Sequence, residues 1–246
     1  MATFSSQRQA EASRVRRRLG NGTEYEITSY LGAGMPKDAV GPVGYLVEQE
    51  RNSTILPHFH QANQFQVVVA GGGLLGKLPV GPVTVHYAGA FTPYGPIVSA
   101  EDGLFYFTLR DAFDPGARFM PESRAELPRV TRRHAAAHAD RPLEPPALAG
   151  LADADRQTLI ETTEDGLGAW RLRLPPGAAW SGPEPASGGG QFHLVVSGEA
   201  AIDGQELGSL ALIHVRSDEA PPAFAAGPAG AEVLVMQFPR RAAAGA

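Results

Sequence analysis

The chain has 246 residues and a mass of 25.9 kDa, which indicates one or two small domains and excludes a large multidomain assembly. Its net charge is −5 and its 21 Lys and Arg residues form no broad basic stripe, so we expect no nucleic-acid partner. The absence of cysteine excludes disulfides and thiolate chemistry, and no apolar run approaches the ~20 residues that span a bilayer. These features predict a cytoplasmic protein without a membrane partner.

The predicted elements are short strands in two blocks. Residues 1–23 are polar, with a basic cluster at 14–18, and are predicted to form a tail or a short helix. Apolar runs rich in β-branched and aromatic residues, separated by Gly and Pro, then predict strands at Tyr25–Leu31, Gly44–Glu50, Gln64–Ala70, Val83–Tyr87 and Leu104–Leu109. Residues 128–155, rich in Ala, Pro, Arg and His, are the predicted linker. Strands resume at Trp170–Leu174, Gln191–Ser197, Ser209–Val215 and Glu232–Phe238. We therefore predict an all-β chain with domains at 24–127 and 156–246.

The two blocks are similar enough to be copies of one unit. Gln64–Gly71 (QFQVVVAG) matches Gln191–Gly198 (QFHLVVSG) at an offset of 127 residues. We also align Leu104–Arg110 with Val233–Pro239, at an offset of 129. The glycine triplets at 71–73 and 188–190 are predicted to form hairpin turns. A duplicated unit of about 100 residues made of short strands predicts two small sandwiches or jelly rolls.

Two histidines with alternating spacing mark the candidate site. His58 and His60 flank Phe59, and side chains alternate faces along an extended strand, so both imidazoles project to one side. If the chain turns back after residues 61–63, Gln64 and Gln66 face the same interior. The pattern predicts a polar pocket lined by imidazoles and amides.

The spacing of these residues resembles the first conserved motif of the cupin superfamily. His58 and His60 are followed after three residues by Gln64, where the family has a glutamate, and after six more by Gly71. The resemblance implies two tandem cupin barrels of double-stranded β-helix or jelly-roll form, that is, a bicupin. It also implies a divalent transition metal (Fe, Ni, Zn, Mn or Cu) held by His58, His60 and Gln64.

The sequence departs from the family pattern at several positions. In the segment from Pro93 to Val98, which resembles the second motif, Val98 stands where the family has a third histidine ligand. In the second copy, Pro185 and Ser187 stand at the positions of the two histidines. An amide is also a poorer metal ligand than a carboxylate, because it brings no charge to offset a cation. The C-terminal barrel is therefore predicted to be degenerate and the N-terminal barrel to be functional.

Three functions are consistent with these observations. The resemblance implies a metal-dependent, dioxygenase-like enzyme that acts on a small aromatic or enolic molecule. In that interpretation His58 and His60 are catalytic, Gln66 orients the substrate, and Tyr94, Val98 and Phe107 contribute to the pocket. The alternatives are a metal-free module that binds or senses a small molecule, and a metal-free acid–base isomerase or eliminase with His58 or His60 as the base. The partners expected are a small-molecule ligand and a second copy of the chain in a homodimer.

Overall fold

The computed structural model describes residues 2–34, 36, 41–202 and 204–241. Contacts divide the chain into two compact units. The N-terminal unit is Ala10–Arg141, and the C-terminal unit combines Met1–Gln9 with Pro142–Ala246. Both are built from antiparallel strands, which confirms the predicted all-β fold.

Strands account for most of the regular structure. Their bounds are β1 Thr3–Ser5, β2 Val15–Arg18, β3 Glu24–Leu31, β4 Val43–Gln49, β5 Thr54–Ile55, β6 His58–Phe59, β7 Gln64–Leu75, β8 Leu78–Val80, β9 Thr84–Ala88, β10 Ile97–Arg110, β11 Arg118–Phe119, β12 His134–His138, β13 Asp155–Ile160, β14 Gly168–Leu174, β15 Ala179–Ser181, β16 Gln191–Ile202, β17 Gln205–Gly208, β18 Leu212–Val215 and β19 Ala223–Gln237. In the described part of the chain the two α-helices are α1 Gln7–Ala10 and α2 Pro145–Ala149, and short 3-10 turns lie at Glu11–Ser13, Glu122–Glu126 and Pro185–Ser187. Within the described ranges no helix has the length and apolar character needed to cross a membrane.

The N-terminal unit is one jelly-roll unit centred on β7 and β10. Its main sheet has the order β12, β9, β7, β10, β4, β3, β2, with β5 paired to β10 and β8 to β7. A separate pair, β6 and β11, lies beside it. The predicted linker 128–155 contains β12, which pairs with β9 in this unit, and α2, which lies in the C-terminal unit.

The C-terminal unit has the same design and an apolar interior. Its sheet has the order β1, β18, β16, β19, β14, β13, and the N-terminal strand β1 pairs with β18 at the edge. Apolar side chains of β14, β16, β18 and β19 form a continuous core that includes Trp170, Phe224 and Val233. The matching core of the N-terminal unit, which includes Val47, Val68 and Leu104, is smaller and leaves room for a cavity.

Strand pairing places the two copies at one offset and corrects part of the sequence alignment. Gln64 of β7 pairs with Arg110 of β10, and Gln191 of β16 pairs with Gln237 of β19. Arg110 therefore corresponds to Gln237 and not to Pro239, so the offset is 127 residues throughout. The predicted offset of 129 for the second strand was wrong. A shift of two residues keeps every side chain on the same face of a strand, so the apolar pattern could not detect it.

The first glycine triplet is not a hairpin turn, because residues 71–73 lie inside β7. Gly71 has a φ of +71°, and a Cβ atom there would lie 2.2 Å from the carbonyl oxygen of Gly103. Gly198 has a φ of +69°, and a Cβ atom there would lie 2.2 Å from the carbonyl oxygen of Gly230. The ladder changes register next to these contacts in both units. These glycines therefore allow a bulge that bends two long neighbouring strands together.

Replacing Gly71 with Ala is expected to lower the free energy of unfolding by more than ~2 kcal/mol, because the new methyl group would meet backbone that cannot move aside. Gly22→Ala is the matched control in the same unit. Its φ is +87°, but the nearest contact of a Cβ would be Arg18 Nη2 at 3.8 Å. That variant should show only the cost of the left-handed backbone, about 1–2 kcal/mol. Urea denaturation of both proteins measures the difference, and equal losses would contradict the role of the bulge.

Candidate functional site

The N-terminal unit has a cavity of about 230 Å³ lined by apolar and polar side chains. Its volume lies below the ~300–1,000 Å³ of drug-sized pockets, so it suits a small molecule. The apolar side chains that line it are Leu19, Tyr25, Ile27, Tyr45, Val47, Ile55, Tyr106, Ala117 and Phe119. The polar end contains His58, His60, Gln66, Tyr94, Thr108 and Arg110. Neither aspartate nor glutamate is among the described residues that line it.

Backbone pairing brings His58 and Tyr94 together at the polar end. The two residues exchange backbone hydrogen bonds of 3.1 and 3.0 Å, so their side chains lie next to each other. His58 Nδ1 lies 2.7 Å from the carbonyl oxygen of Leu56, which can only accept, so Nδ1 carries the proton. In the neutral ring His58 Nε2 therefore accepts the hydrogen bond from the Tyr94 hydroxyl at 2.8 Å. The same hydroxyl accepts a hydrogen bond of 2.5 Å from the Gln64 amide.

His60 forms a pair with Asp114, which the loop after β10 provides. His60 Nδ1 lies 2.7 Å from Asp114 Oδ1, and the carboxylate also accepts backbone N–H groups of Gln61 at 2.7 Å and Gly116 at 2.8 Å. The Asp114 side chain is fully buried. Because an ionised carboxylate can only accept, Nδ1 of His60 is the protonated nitrogen and Nε2 keeps its lone pair.

Arg110, at the end of β10, connects these groups. Its Nε donates to Gln64 Oε1 at 3.2 Å, and its Nη1 lies 3.6 Å from Asp114 Oδ1, beyond hydrogen-bond distance. Its Nη2 lies 3.1 Å from both ring nitrogens of His60. An atom equidistant from both nitrogens at this distance lies over the face of the ring, since an in-plane position would overlap Cε1. Arg110 therefore stacks on His60 and does not occupy the in-plane lone pair of Nε2.

Burial and neighbouring charges fix the protonation states. Burial, followed by the charges of His60 and Arg110, lowers the pKa of His58 to about 3. Burial and then Arg110 also lower the pKa of His60, against the opposing effect of Asp114. Burial opposes ionisation of Asp114, but hydrogen bonds from His60 and Gln61 and the charge of Arg110 lower its pKa to about 2. At neutral pH the site therefore holds two neutral imidazoles, one carboxylate and one guanidinium.

The structure brings together five of the seven side chains that the sequence singled out. The rings of His58 and His60 lie 5.1 Å apart at 87°, and Gln64 and Tyr94 connect to them as described. Gln66 also lines the cavity, and its Oε1 lies 3.2 Å from His86 Nδ1.

The other two predicted pocket residues, Val98 and Phe107, are not part of the described cavity lining. Phe107 is fully buried and packs at a ring distance of 4.9 Å against Tyr30. Tyr106, Thr108 and Arg110 occupy the inward positions of β10, so Phe107 between them faces the opposite side. Val98 lies further along β10 and pairs with Thr54 and Leu74.

The sequence reasoning missed Arg110, Asp114 and the cavity-lining tyrosines Tyr25, Tyr45 and Tyr106. A signal existed for Arg110, because it shares the alternating positions of Tyr106 and Thr108 along one strand. Asp114 lies in a loop without periodicity, where no local pattern indicates what its carboxylate contacts.

The donor set does not fit the metal that the resemblance implied. The lone pair of His58 Nε2 is engaged by Tyr94, and Gln64 Oε1 is engaged by Arg110. His60 Nε2 has a lone pair available, but a buried guanidinium lies 3.1 Å away and would repel a cation placed there. Among the described residues no group of three or more His, Cys, Asp or Glu side chains could hold a metal ion. Arg110 thus provides a positive charge in the region where the family motif would place the metal.

The corresponding region of the C-terminal unit is a structural amide cluster. Gln191 Nε2 donates to Gln237 Oε1 at 2.7 Å, which links β16 to β19, and His193 Nε2 lies 3.0 Å from Gln191 Oε1. Gln191, His193 and Gln237 are all fully buried. Gln64 and Gln191 therefore share a role in joining neighbouring strands, and the N-terminal unit differs in having Arg110 where the copy has Gln237.

Comparison of the structure with solved structures identifies the fold. No protein-family model matches the sequence, and no curated protein matches it. A quercetin 2,3-dioxygenase from Acinetobacter baumannii has a TM-score of 0.56 at 13% identity, over 97% of this chain and 79% of the other. A cupin 2 conserved barrel domain protein from Leptotrichia buccalis has a TM-score of 0.51 at 12% identity, over 93% of each chain.

A bacterial pirin from Escherichia coli, YhhW, crystallised in complex with nickel(II), is also similar. Its TM-score is 0.59 at 12% identity, over 98% of this chain and 100% of the pirin. At these identities the likeness concerns the fold and carries no residue roles over. The protein has the duplicated cupin fold, as the motif in its first half predicted.

Proposed function

We propose that this protein is a cupin that works without a metal ion, and that its N-terminal unit binds a small molecule with an anionic or carbonyl end and an aromatic or apolar body. The observation that carries the proposal is the position of Arg110. Its guanidinium lies between Gln64 and His60, two of the three motif residues, with its Nε 3.2 Å from Gln64 and its Nη2 3.1 Å from His60.

The charges around the cavity support an anionic or oxygen-rich ligand. Asp114 is covered by protein and engaged by His60 and two backbone N–H groups. Arg110 lines the cavity, and its Nη1 has no hydrogen bond to Asp114 at 3.6 Å. A ligand entering the polar end therefore meets N–H donors and no carboxylate. A guanidinium edge suits carboxylates because it can donate two parallel hydrogen bonds.

The apolar part of the lining supports an aromatic or apolar body for the ligand. Tyr25, Tyr45, Tyr106 and Phe119 line the cavity together with aliphatic side chains, and Tyr45 and Phe119 lie next to Arg110 and His58. Burial raises the pKa of Tyr106 well above its ordinary value, so its hydroxyl stays neutral. These rings offer a large apolar contact area for a flat molecule.

The oxygenase that the resemblance implied is the competing function, and metal content separates the two. Protein purified without a histidine tag is expected to contain less than about a tenth of a transition-metal ion per chain by elemental analysis. It is also expected to bind benzoate, which has a carboxylate and an aromatic ring, in a titration followed by calorimetry. Near-stoichiometric metal that disappears in a His58→Ala/His60→Ala variant would overturn the proposal and favour the metalloenzyme.

A further inference from the structure

The pair formed by His60 and Asp114 has the arrangement of a general base with its positioning residue. Asp114 accepts the Nδ1 proton of His60 at 2.7 Å, which fixes the tautomer and leaves the lone pair on Nε2. His60 lines the cavity, and its contact to Arg110 lies over the ring face. The Nε2 lone pair, which Arg110 does not occupy, therefore belongs to an imidazole at the polar end of the ligand cavity.

The second motif histidine is not equivalent. Nε2 of His58 already accepts the hydrogen bond of Tyr94 at 2.8 Å, and its Nδ1 donates to a backbone carbonyl instead of a carboxylate. A proton taken up by His58 would have no carboxylate bonded to the ring, whereas a proton taken up by His60 would be stabilised by Asp114 against the repulsion of the Arg110 guanidinium. This asymmetry indicates that His60, and not His58, is the base.

We infer that the N-terminal unit catalyses enolisation of a small aromatic 2-oxo carboxylate, with His60 as the base and Arg110 as the group that holds the oxygens. The inference rests on the proposed function, because it needs the metal-free anion site. It adds a reaction class and a substrate class to that site.

The reaction is balanced without an oxidant, a reductant or a second substrate. The C3–H bond breaks, and its proton goes to His60 Nε2. The electron pair forms the C2=C3 double bond, and the carbonyl π pair moves to the C2 oxygen, where N–H groups of Arg110 stabilise the developing negative charge. The imidazolium, paired with Asp114, then returns the proton to that oxygen to give the enol, or to C3 to regenerate the keto form.

Phenylpyruvate is the probe, and benzoate is its control without an enolisable C–H bond. In deuterated buffer, proton NMR should show loss of the C3 hydrogens of phenylpyruvate at a rate proportional to protein concentration and above the rate in buffer. His60→Gln should lower this rate about 100-fold or more, and measurable binding of benzoate by the variant shows that its cavity is still formed. The exposed His138→Gln, in β12, is the matched control and should leave the rate unchanged.

Asp114→Asn tests the positioning role. An Asn side chain can still accept the Nδ1 hydrogen bond but carries no charge to stabilise the imidazolium, so kcat should fall at least about tenfold with KM nearly constant. Asp114→Glu should recover part of kcat, which a merely structural role would not predict.

The outcomes separate this inference from the proposed function. Benzoate binding to metal-free protein without exchange of phenylpyruvate above the buffer rate overturns the inference and leaves the proposed function intact. Failure of phenylpyruvate to bind, or an exchange rate unaltered in His60→Gln, also overturns it. Near-stoichiometric metal that is lost in the His58→Ala/His60→Ala variant, or no binding of benzoate, overturns the proposed function itself.

Discussion

Lowering the pH from 7 to about 4.5 is expected to unfold this protein, because several histidines are buried in the neutral form. Burial is the largest cause that lowers the pKa of His58 and His193 to about 3 and the pKa of His86 and His214 to about 4. In the unfolded chain an exposed histidine titrates near ~6.5. As the pH falls below that value, the unfolded chain therefore binds protons that the folded chain does not.

The sign and size of the effect follow from proton linkage. The contribution of these histidines is fully present above about pH 6.5 and is lost as the pH falls toward their folded pKa values. Each costs about 1.4 kcal/mol per pH unit within that window, so the two histidines of each compact unit cost about 6 kcal/mol over two pH units. Domains of this size have a total stability of about 5–15 kcal/mol. Acid unfolding therefore begins at a pH well above that at which Asp114, with a pKa of about 2, becomes protonated.

Urea denaturation followed by circular dichroism at several pH values between 7 and 5 measures the slope. His193→Gln keeps a donor toward Gln191 Oε1 but cannot titrate. The slope of the unfolding free energy against pH should therefore fall by the contribution of one proton, about 1.4 kcal/mol per pH unit. His138→Gln, at an exposed position of β12, is the control and should reduce it less. Stability that is constant between pH 6.5 and 4.5 would show that these imidazoles are accessible to water.

Much of the fold was predictable because strand alternation and the repeat are local properties of the sequence. The strands predicted at Tyr25–Leu31, Gly44–Glu50 and Gln64–Ala70 overlap β3, β4 and the first half of β7. The continuation of β7 through three glycines was not predictable, since it depends on contacts of Gly71 and Gly73 with the neighbouring β10. Register between strands distant in sequence is set by such contacts and not by composition.

The site was predictable only where its residues lie close together in sequence. His58, His60, Gln64 and Gln66 come from one segment, and alternation alone places them at one interior. Arg110 lies 46 residues from Gln64, and only the pairing of β7 with β10 joins them. That pairing changes the chemistry of the site, because the buried guanidinium of Arg110 lies where the resemblance implied a metal ion. The predicted homodimer stays a prediction.

Removing the guanidinium and adding a carboxylate is expected to turn this site into a metal site. In the double variant Gln64→Glu/Arg110→Met, a unit positive charge next to His60 is lost and a negative charge is gained at the position where cupins have glutamate. Two unit charges ~4 Å apart interact by about 4 kcal/mol at an effective dielectric constant of about 20. A divalent ion is affected twice as strongly by each change. Affinity for nickel(II) should therefore rise at least about 100-fold over the wild type.

The single variant Gln64→Glu is the matched control for this change. With Arg110 retained 3.2 Å from residue 64, the new carboxylate should pair with the guanidinium and leave nickel affinity near that of the wild type. Dialysis against nickel(II) followed by elemental analysis compares the three proteins, and thermal unfolding confirms that each is folded. Asp114 stays bonded to His60 Nδ1 and orients Nε2 toward the new ion. Near-stoichiometric nickel binding by all three proteins would mean that Arg110 does not exclude the metal, and the metal-free function would fail with it.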